Sequence, residues 1–329
     1  MKNILFDSNR LKEFFKEKKY NCIKPYSIIN NNDTVFVSAG IQPLLLNYRE
    51  KNLRENEKLY VAQPVIRTQY LNSIEEGSSI AFTNLTTSCF NNSEEEHKKM
   101  IKDWYELLYQ AGISKKDITT TSDIYETKWG DLELCGKRIF HYYKNVEIGD
   151  TTFFTRISGD NSIKIADSMS DLGFGLERLR WLISGNSYYD LYSNSEDLNP
   201  KLKAYLSVIS LLAINKIKPS NKNTGYRARM FSKKLVSLLG GRNLNSKEEK
   251  YLDECIEYWK DWQEQLYFED KQLIVDEFIR NGNRYILDQL SSEGYDNLSG
   301  ININVSRSEF EKRLISSGVD IEKIKKLVR

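Results

Sequence analysis

Hydrophobic periodicity changes partway along this chain of 329 residues, and that change restricts the fold more than any other feature. Up to about residue 185, β-branched and aromatic residues gather in short runs. The spacing predicts strands at Asp33–Ala39, Leu59–Arg67, Ser79–Thr87, 117–121, 137–148, 151–158 and 162–167. Two helices interrupt them. One covers 8–19, with Leu11, Phe14 and Phe15 on one face and Asp7 or Ser8 as cap. The other covers 94–111, with Ile101, Trp104, Leu107 and Leu108 inward and Gly112 ending it. Beyond residue 195 the period is helical throughout, in segments 200–216, 226–239, 246–266, 270–290 and 306–327. Ser246 with Glu249 three residues on has the form of a capping box. The polar stretch from Gly185 to Asn199 is the natural boundary. The expectation is an α+β chain: a sheet-rich domain over 1–190, then an all-helical domain over 191–329.

Composition narrows the class without naming a function. A mean hydropathy of -0.56 and the lack of a long apolar run argue against a membrane span. The start of the chain, Met1-Lys2-Asn3-Ile4, lacks the apolar core of a signal peptide, so a cytoplasmic location is expected. Cys22, Cys89, Cys135 and Cys255 are widely spaced, and only His97 and His141 accompany them. No zinc site is expected from such a set. The 48 basic residues nearly balance the 46 acidic ones, so a nucleic-acid partner would have to be met by a local basic face.

The most specific string is Asp171-Leu172-Gly173-Phe174-Gly175-Leu176-Glu177-Arg178-Leu179. Two glycines let backbone approach a ligand closely. Leu176, Leu179, Leu182 and Ile183 then recur at helical spacing. Arg178 therefore falls in the first turn of an apolar-faced helix, aimed back at what the glycines expose. Its guanidinium fork suits a polyphosphate oxygen.

This string resembles motif 3 of class II aminoacyl-tRNA synthetases, in the form carried by alanyl-tRNA synthetases. Other segments carry the same resemblance. Asn32-Asp33-Thr34-Val35-Phe36-Val37-Ser38-Ala39-Gly40-Ile41 is similar to a segment near the start of that catalytic region. Gln63-Pro64-Val65-Ile66-Arg67 is similar to the first strand of motif 2, and Ser79-Ile80-Ala81-Phe82-Thr83 to its second. Lys218-Pro219-Ser220-Asn221 through Gly225-Tyr226-Arg227-Ala228-Arg229 is similar to a signature of the helical domain. The resemblance implies an antiparallel sheet flanked by helices, followed by a helical, acceptor-stem-recognising domain. It also implies ATP with Mg²⁺. Arg67 would lie on the α-phosphate, Phe82 under the adenine, and Gly175 and Arg178 at the nucleotide. Asp171 would hold the α-ammonium of an amino acid, with Gly149, Asp150 and Gly173 around it. Asn221, Arg227 and Arg229 would contact tRNA.

The chain also departs from that family. In the motif 2 loop, Gln69-Tyr70-Leu71-Asn72 replaces Gly-Gly-Lys-His, and Thr83 stands where a glutamate follows the aromatic. The strand Trp-Asn-x-Val-Phe reads Gly149-Asp150-Thr151-Thr152-Phe153, which is expected to open the pocket at Gly149 and add a carboxylate at Asp150. The resemblance stops where the family continues into an editing domain. Alanine-sized substrates are told apart by only about 1–3 kcal/mol per methylene, whereas hydrogen-bonding side chains are selected roughly 10⁴–10⁵-fold without editing. The expected substrate is therefore larger or more polar than alanine.

Each assignment has a plainer alternative. Arg178 and Arg67 also suit a helix surface and a salt bridge. Phe82 also suits a core, and Asp171, Asp150 and Asn221 suit turns. The run Lys216, Lys218, Lys222, Arg227, Arg229, Lys233 and Lys234 also suits a solvated helix face. His97, His141, Trp259 and Trp262 are read as packing residues. At the level of function, the leading expectation is adenylation of an amino acid and its transfer to a tRNA 3′ end. The alternatives are a biosynthetic ligase serving a carrier protein or small amine, and a non-catalytic paralogue binding tRNA or an amino acid.

Overall fold

Cross-strand pairing gathers the β-branched runs of the first half into one sheet, as a computed structural model of the chain describes for residues 6–29, 34–70, 74, 78–159, 164–185, 188, 198–263 and 271–328. The chain divides into two compact units, Met1–Asn194 with Asp261–Glu264, and Ser195–Lys260 with Gln265–Arg329. The first is α+β.

Its strands are β1 (Asn21–Cys22), β2 (Leu59–Ile66), β3 (Ala81–Phe90), β4 (Ile118–Trp129), β5 (Leu132–Tyr143), β6 (Val146–Ser158), β7 (Lys164–Ala166) and β8 (Met169–Gly175). They pair in the order β1-β2-β3-β8-β6-β5-β4, with β7 beside β6. Only β1 and β2 run parallel; the other pairs are antiparallel. Helices α1 (Ser8–Glu17) and α3 (Glu94–Gln110) contribute to the cover of one face. There Phe15 stacks on Tyr60 at 4.2 Å and Trp104 on Phe174 at 4.2 Å. The Trp104 indole N–H donates to Thr87 Oγ1 at 2.8 Å, so burying that ring leaves no polar group unpaired. Helix α2 (Ile41–Arg49) packs Ile41, Leu44 and Leu45 with Val61, Phe90 and Phe154 on the opposite face. Helix α4 (Leu176–Ser184) follows β8 directly and ends at Gly185, whose φ of 74° is the left-handed cap conformation.

The second unit is helical: α5 (Pro200–Ile214), α6 (Asn223–Leu238), α7 (Ser246–Gln263, whose last residues belong to the first unit), α8 (Lys271–Ser292), α9 (Arg307–Ser316) and α10 (Ile321–Val328). Helix α5 is buried almost all round, as an apolar helix in the middle of a bundle must be. Trp259 is buried and donates to Ser207 O at 2.9 Å, a packing role. Ile286, Leu290, Phe310 and Leu314 form a further cluster between α8 and α9.

Several expectations are corrected. Thr34–Ala39 holds only an isolated bridge, Ile29 to Phe36, because its polar groups are satisfied elsewhere: Ser38 N–H donates to Gln42 Oε1 at 2.8 Å and Val37 O accepts from Ile66 at 2.9 Å. Asp33, and the loop residues Glu75, Glu76 and Gly77, lie outside the described residues. Segment 137–148 is a hairpin, with Lys144 and Asn145 at φ of 51° and 63°. That is the two-residue turn whose twist suits adjacent strands, without the usual Asn-Gly signature. Segment 306–327 is two helices, broken near Gly318 at φ 88°. Helix α2 was not anticipated. On α3, Met100 is buried where Ile101 was expected, and Ile101 is half-buried.

The capping box also shifts by one residue. Asn245 Oδ1 accepts from the N–H groups of Lys247 and Glu248 at 3.0 Å each, and Glu248 Oε2 accepts from Asn245 N–H at 2.8 Å. Thermal denaturation checks the placement. Asn245→Ala is expected to cost about 1 kcal/mol, while Ser246→Ala leaves the midpoint nearly unchanged.

Candidate active site

Strand β8 alternates cleanly. Leu172 and Phe174 are buried on the α3 side, so Asp171, Gly173 and Gly175 must face the other way. The same alternation on β6 sends Asp150 and Thr152 to that face, and on β3 it sends Phe82 and Asn84. In register, Asp150 pairs with Gly173, Thr152 with Asp171, and Asn84 with Gly175. The result is a cleft of about 360 Å³ bordered by Arg67, Phe82, Gly149, Asp150, Asp171, Gly173, Gly175 and Arg178. Every residue assigned from sequence to the nucleotide or the amino acid lies around this one cleft.

Arg67 follows β2 directly. Its Nε donates to Ser38 O at 2.9 Å, and its guanidinium sits 4.9 Å from the centre of the Phe82 ring. That contact is a cation–π pairing, so in this state one face of Phe82 is covered by Arg67. Arg178 occupies the third position of α4 and donates through Nη1 to Glu147 O at 2.8 Å. It remains part-exposed at the cleft. Glu177, beside it, is fully buried, and both its carboxylate oxygens accept from Thr83 N–H at 2.9 Å. This bond ties the first turn of α4 to the start of β3, and so fixes where Arg178 can reach.

Residues that sequence reasoning missed also border the cleft. Asn84 accepts from Gly40 N–H at 2.8 Å, and Gly40 has no room for a side chain because a Cβ there would lie 2.1 Å from Thr86 Oγ1. Arg138 forks onto Asp123 with bonds of 3.1 and 2.6 Å and lies between the Tyr125 and Phe140 rings. Arg138 belongs to a strand whose register the sequence alone did not reveal. A signal for Asn84 was available: a lone amide in a strand of Thr, Leu and Ser.

Gly149 is a correction. It borders the cleft with its backbone only. A Cβ at this position would point to the α3 side, 2.3 Å from Gly173 O and 2.6 Å from the Phe174 ring. The missing indole therefore does not open the cleft; the glycine is demanded by the close approach of β8. Asp150, one residue on, is the group that does face the cleft.

The two acids dominate the electrostatics. Burial, with the Asp150 charge nearby, pushes the Asp171 carboxyl well above the usual carboxylate range. Burial first, then the Glu147 charge, raises Asp150, while Arg67 and Arg138 pull it down; it settles at about 6. The histidines stay out of the cleft. His141 lies between Tyr105 OH and Thr151 Oγ1 at 3.1 Å each, His97 lies 2.9 Å from Ser170 Oγ, and burial lowers both rings to about 4.

The remaining assigned residues belong to the helical unit. Asn221 is exposed and accepts through Oδ1 from Arg229, and Arg227 Nη1 lies 3.9 Å from the Met230 sulfur. Gly225 is required sterically: a Cβ there would meet Ser220 Oγ at 2.2 Å and Lys218 O at 2.6 Å, so segment 218–220 packs directly on the first turn of α6.

No protein-family model matches the sequence, and no curated protein matches it. Solved structures do match in fold. Among them is PylSc of Desulfitobacterium hafniense, a pyrrolysyl tRNA synthetase, at 15% identity and a TM-score of 0.44, aligned over 59% of this chain and 73% of that one.

Two measurements check the cleft. Gly149→Ala is expected to destabilise the chain by at least about 2 kcal/mol, through overpacking against backbone that cannot retreat, as read from denaturant midpoints. The second concerns Asp150, whose folded pKa of about 6 exceeds its ordinary 3.8. The folded state then holds the proton more tightly than the unfolded one, so this group favours folding most at low pH and loses that contribution as pH rises through about 6. Asp150→Asn is expected to be more stable than the natural chain above pH 6, with the difference vanishing as pH falls through the ordinary carboxylate range.

Proposed function

We propose that the cleft activates an amino acid with ATP, forming an aminoacyl-adenylate, and that the helical unit presents a tRNA 3′ end as acceptor. The observation that carries this reading is the convergence of Arg67, Arg178 and Asp171 on one cleft. They were assigned to it from two separate stretches of sequence, Arg67 from one and Asp171 with Arg178 from the other.

The chemistry needs such a set. An amino-acid carboxylate attacks the α-phosphorus of ATP, a new O–P bond forms, and the bond to pyrophosphate breaks with its electron pair leaving on the pyrophosphate oxygen. Both reactants are anions, so guanidinium groups must offset their repulsion and hold them in line. Arg67, at the end of β2, suits the α-phosphate. Arg178, held at the start of α4, suits the far phosphates and the positive end of the helix lies beside it. Asp171 takes the α-ammonium, which leaves the carboxylate pointing at phosphorus. Gly173 and Gly175 allow close approach of backbone between them. Mg²⁺, bound with the nucleotide, would neutralise phosphate charge; among the described residues no cluster of three His, Cys, Asp or Glu side chains stands ready as a separate metal site. The substrate is an amino acid larger or more polar than alanine, because Asp150 adds a polar group to the cleft floor.

Exchange of labelled pyrophosphate into ATP, run with each amino acid in turn, tests the reaction. Exchange with one or a few of them is expected. Arg67→Ala and Arg178→Ala should each lower it about 10²–10³-fold, the loss typical of one removed charge-stabilising donor. No exchange with any amino acid, with ATP still bound, would leave a non-catalytic binding protein. Incubation with total tRNA then separates the acceptors: labelled tRNA supports the reading, and label reaching only a carrier protein or small amine overturns its second half.

A further inference from the structure

We infer that the cleft is built for an amino acid carrying a second, side-chain ammonium group, held by Asp150 while Asp171 holds the α-ammonium. This rests on the amino-acid-binding part of the reading above and names the substrate class within it.

Position is the first ground. Asp150 and Asp171 lie on adjacent strands and face the same cleft. Because Thr152 pairs with Asp171 and Gly173 with Asp150, the two acids are diagonal neighbours. Diagonal positions on a sheet stand about 7 Å apart, a span suited to the two ammonium groups of a short diamino acid. Gly173 puts no side chain between them. Phe140, paired with Asp150 across β5 and β6, supplies an apolar wall for the intervening methylenes.

The second ground is that neither acid has a committed cationic partner. Among the described residues, the side chain of Asp150 has one hydrogen bond, a long 3.5 Å one from Thr152 Oγ1. The nearby guanidiniums are engaged elsewhere. Arg138 is forked onto Asp123 between two aromatic rings, and Arg67 is bonded to Ser38 O over Phe82. Two enclosed carboxylates cannot both ionise comfortably without a counter-charge. The raised titration of both is what an unmet demand for cations looks like. An amino acid with a neutral side chain brings one ammonium and leaves Asp150 unpaired. A diamino acid brings two, and each finds a carboxylate. The cleft must also admit a nucleotide, which favours a short alkyl amine over a bulkier guanidinium side chain.

Direct binding tests this apart from catalysis. Calorimetry with the full chain at pH 8, where Asp150 is ionised, would compare isosteric pairs: 2,4-diaminobutyrate with norvaline, ornithine with norleucine, and lysine with 2-aminoheptanoate. One diamino member is expected to bind about 10- to 100-fold more tightly than its neutral isostere, the range of a charge-assisted hydrogen bond. Asp150→Asn, which keeps shape and should fold, is expected to erase that preference. Asp171→Asn should weaken both members of the pair. Equal or weaker binding of every diamino member, binding by neither member of any pair, or a preference that survives Asp150→Asn would overturn the inference. Pyrophosphate exchange on the same samples tells the two ideas apart. Exchange driven by a neutral amino acid, with no diamino preference, sinks the inference and keeps adenylation. Asp150-dependent binding of a diamino acid without exchange keeps the inference and sinks adenylation.

Discussion

Phe174 stacked under Trp104 is the contact on which the rest of the first unit depends. Side chains on a strand alternate between faces. Once Phe174 and Leu172 are committed to the core beneath α3, Asp171, Gly173 and Gly175 have only the opposite face. Strand β8 lies in the middle of the sheet, between β3 and β6, so its register is transmitted to both neighbours. Phe82, Asn84, Asp150 and Thr152 are then brought to the same side. A slip of one residue would reverse all of them. The buried Trp104–Thr87 hydrogen bond penalises such a slip, because it would strand an indole N–H in the core.

The same arrangement separates charge by position. Carboxylates lie on the strands that form the floor, where burial makes ionisation costly. Two of the guanidiniums enter from the ends of elements, Arg67 past the last residue of β2 and Arg178 in the first turn of α4, while Arg138 on β5 is forked onto Asp123. Long side chains at element ends can keep their heads in contact with solvent while their stems pack. Glu177 anchors this layout. Its carboxylate accepts from Thr83 N–H and so holds the first turn of α4, with Arg178, against the start of β3. The cleft thus has an acidic floor and a basic rim.

Much of this was legible in sequence where the signal is local. The string from Asp171 to Leu179 announces glycines leading into a helix, and the structure has that helix start at Leu176; that the glycines lie on a strand, β8, was not read from it. The Leu59–Arg67 and Ser79–Thr87 runs became β2 and β3 within a few residues. Signals failed where local preference was weak or shared. Lys144-Asn145 turns a hairpin with unremarkable turn residues. Ser246 looked like a cap, yet Asn245 does the capping, because an amide accepts from N–H groups as readily as a hydroxyl does and only backbone geometry decides between adjacent candidates. The Thr34–Ala39 run has strand composition without a strand partner, since its polar groups were claimed by the Gln42 side chain and by Ile28 and Ile66.

By itself, then, the sequence determined the change from a sheet-rich to a helical half, most of the elements within each, and the kinds of group on offer, because periodicity, glycine spacing and residue type act over a few neighbouring positions. Tertiary structure decided which of those groups share a cleft. Gly149 and Asp150 are adjacent in the chain and equal candidates on paper, yet the first is pressed against Phe174 and the second faces the cleft. That outcome is a matter of register between β6 and β8. Register is settled by the packing of residues distant in sequence, where the energy of a buried ring outweighs any local preference.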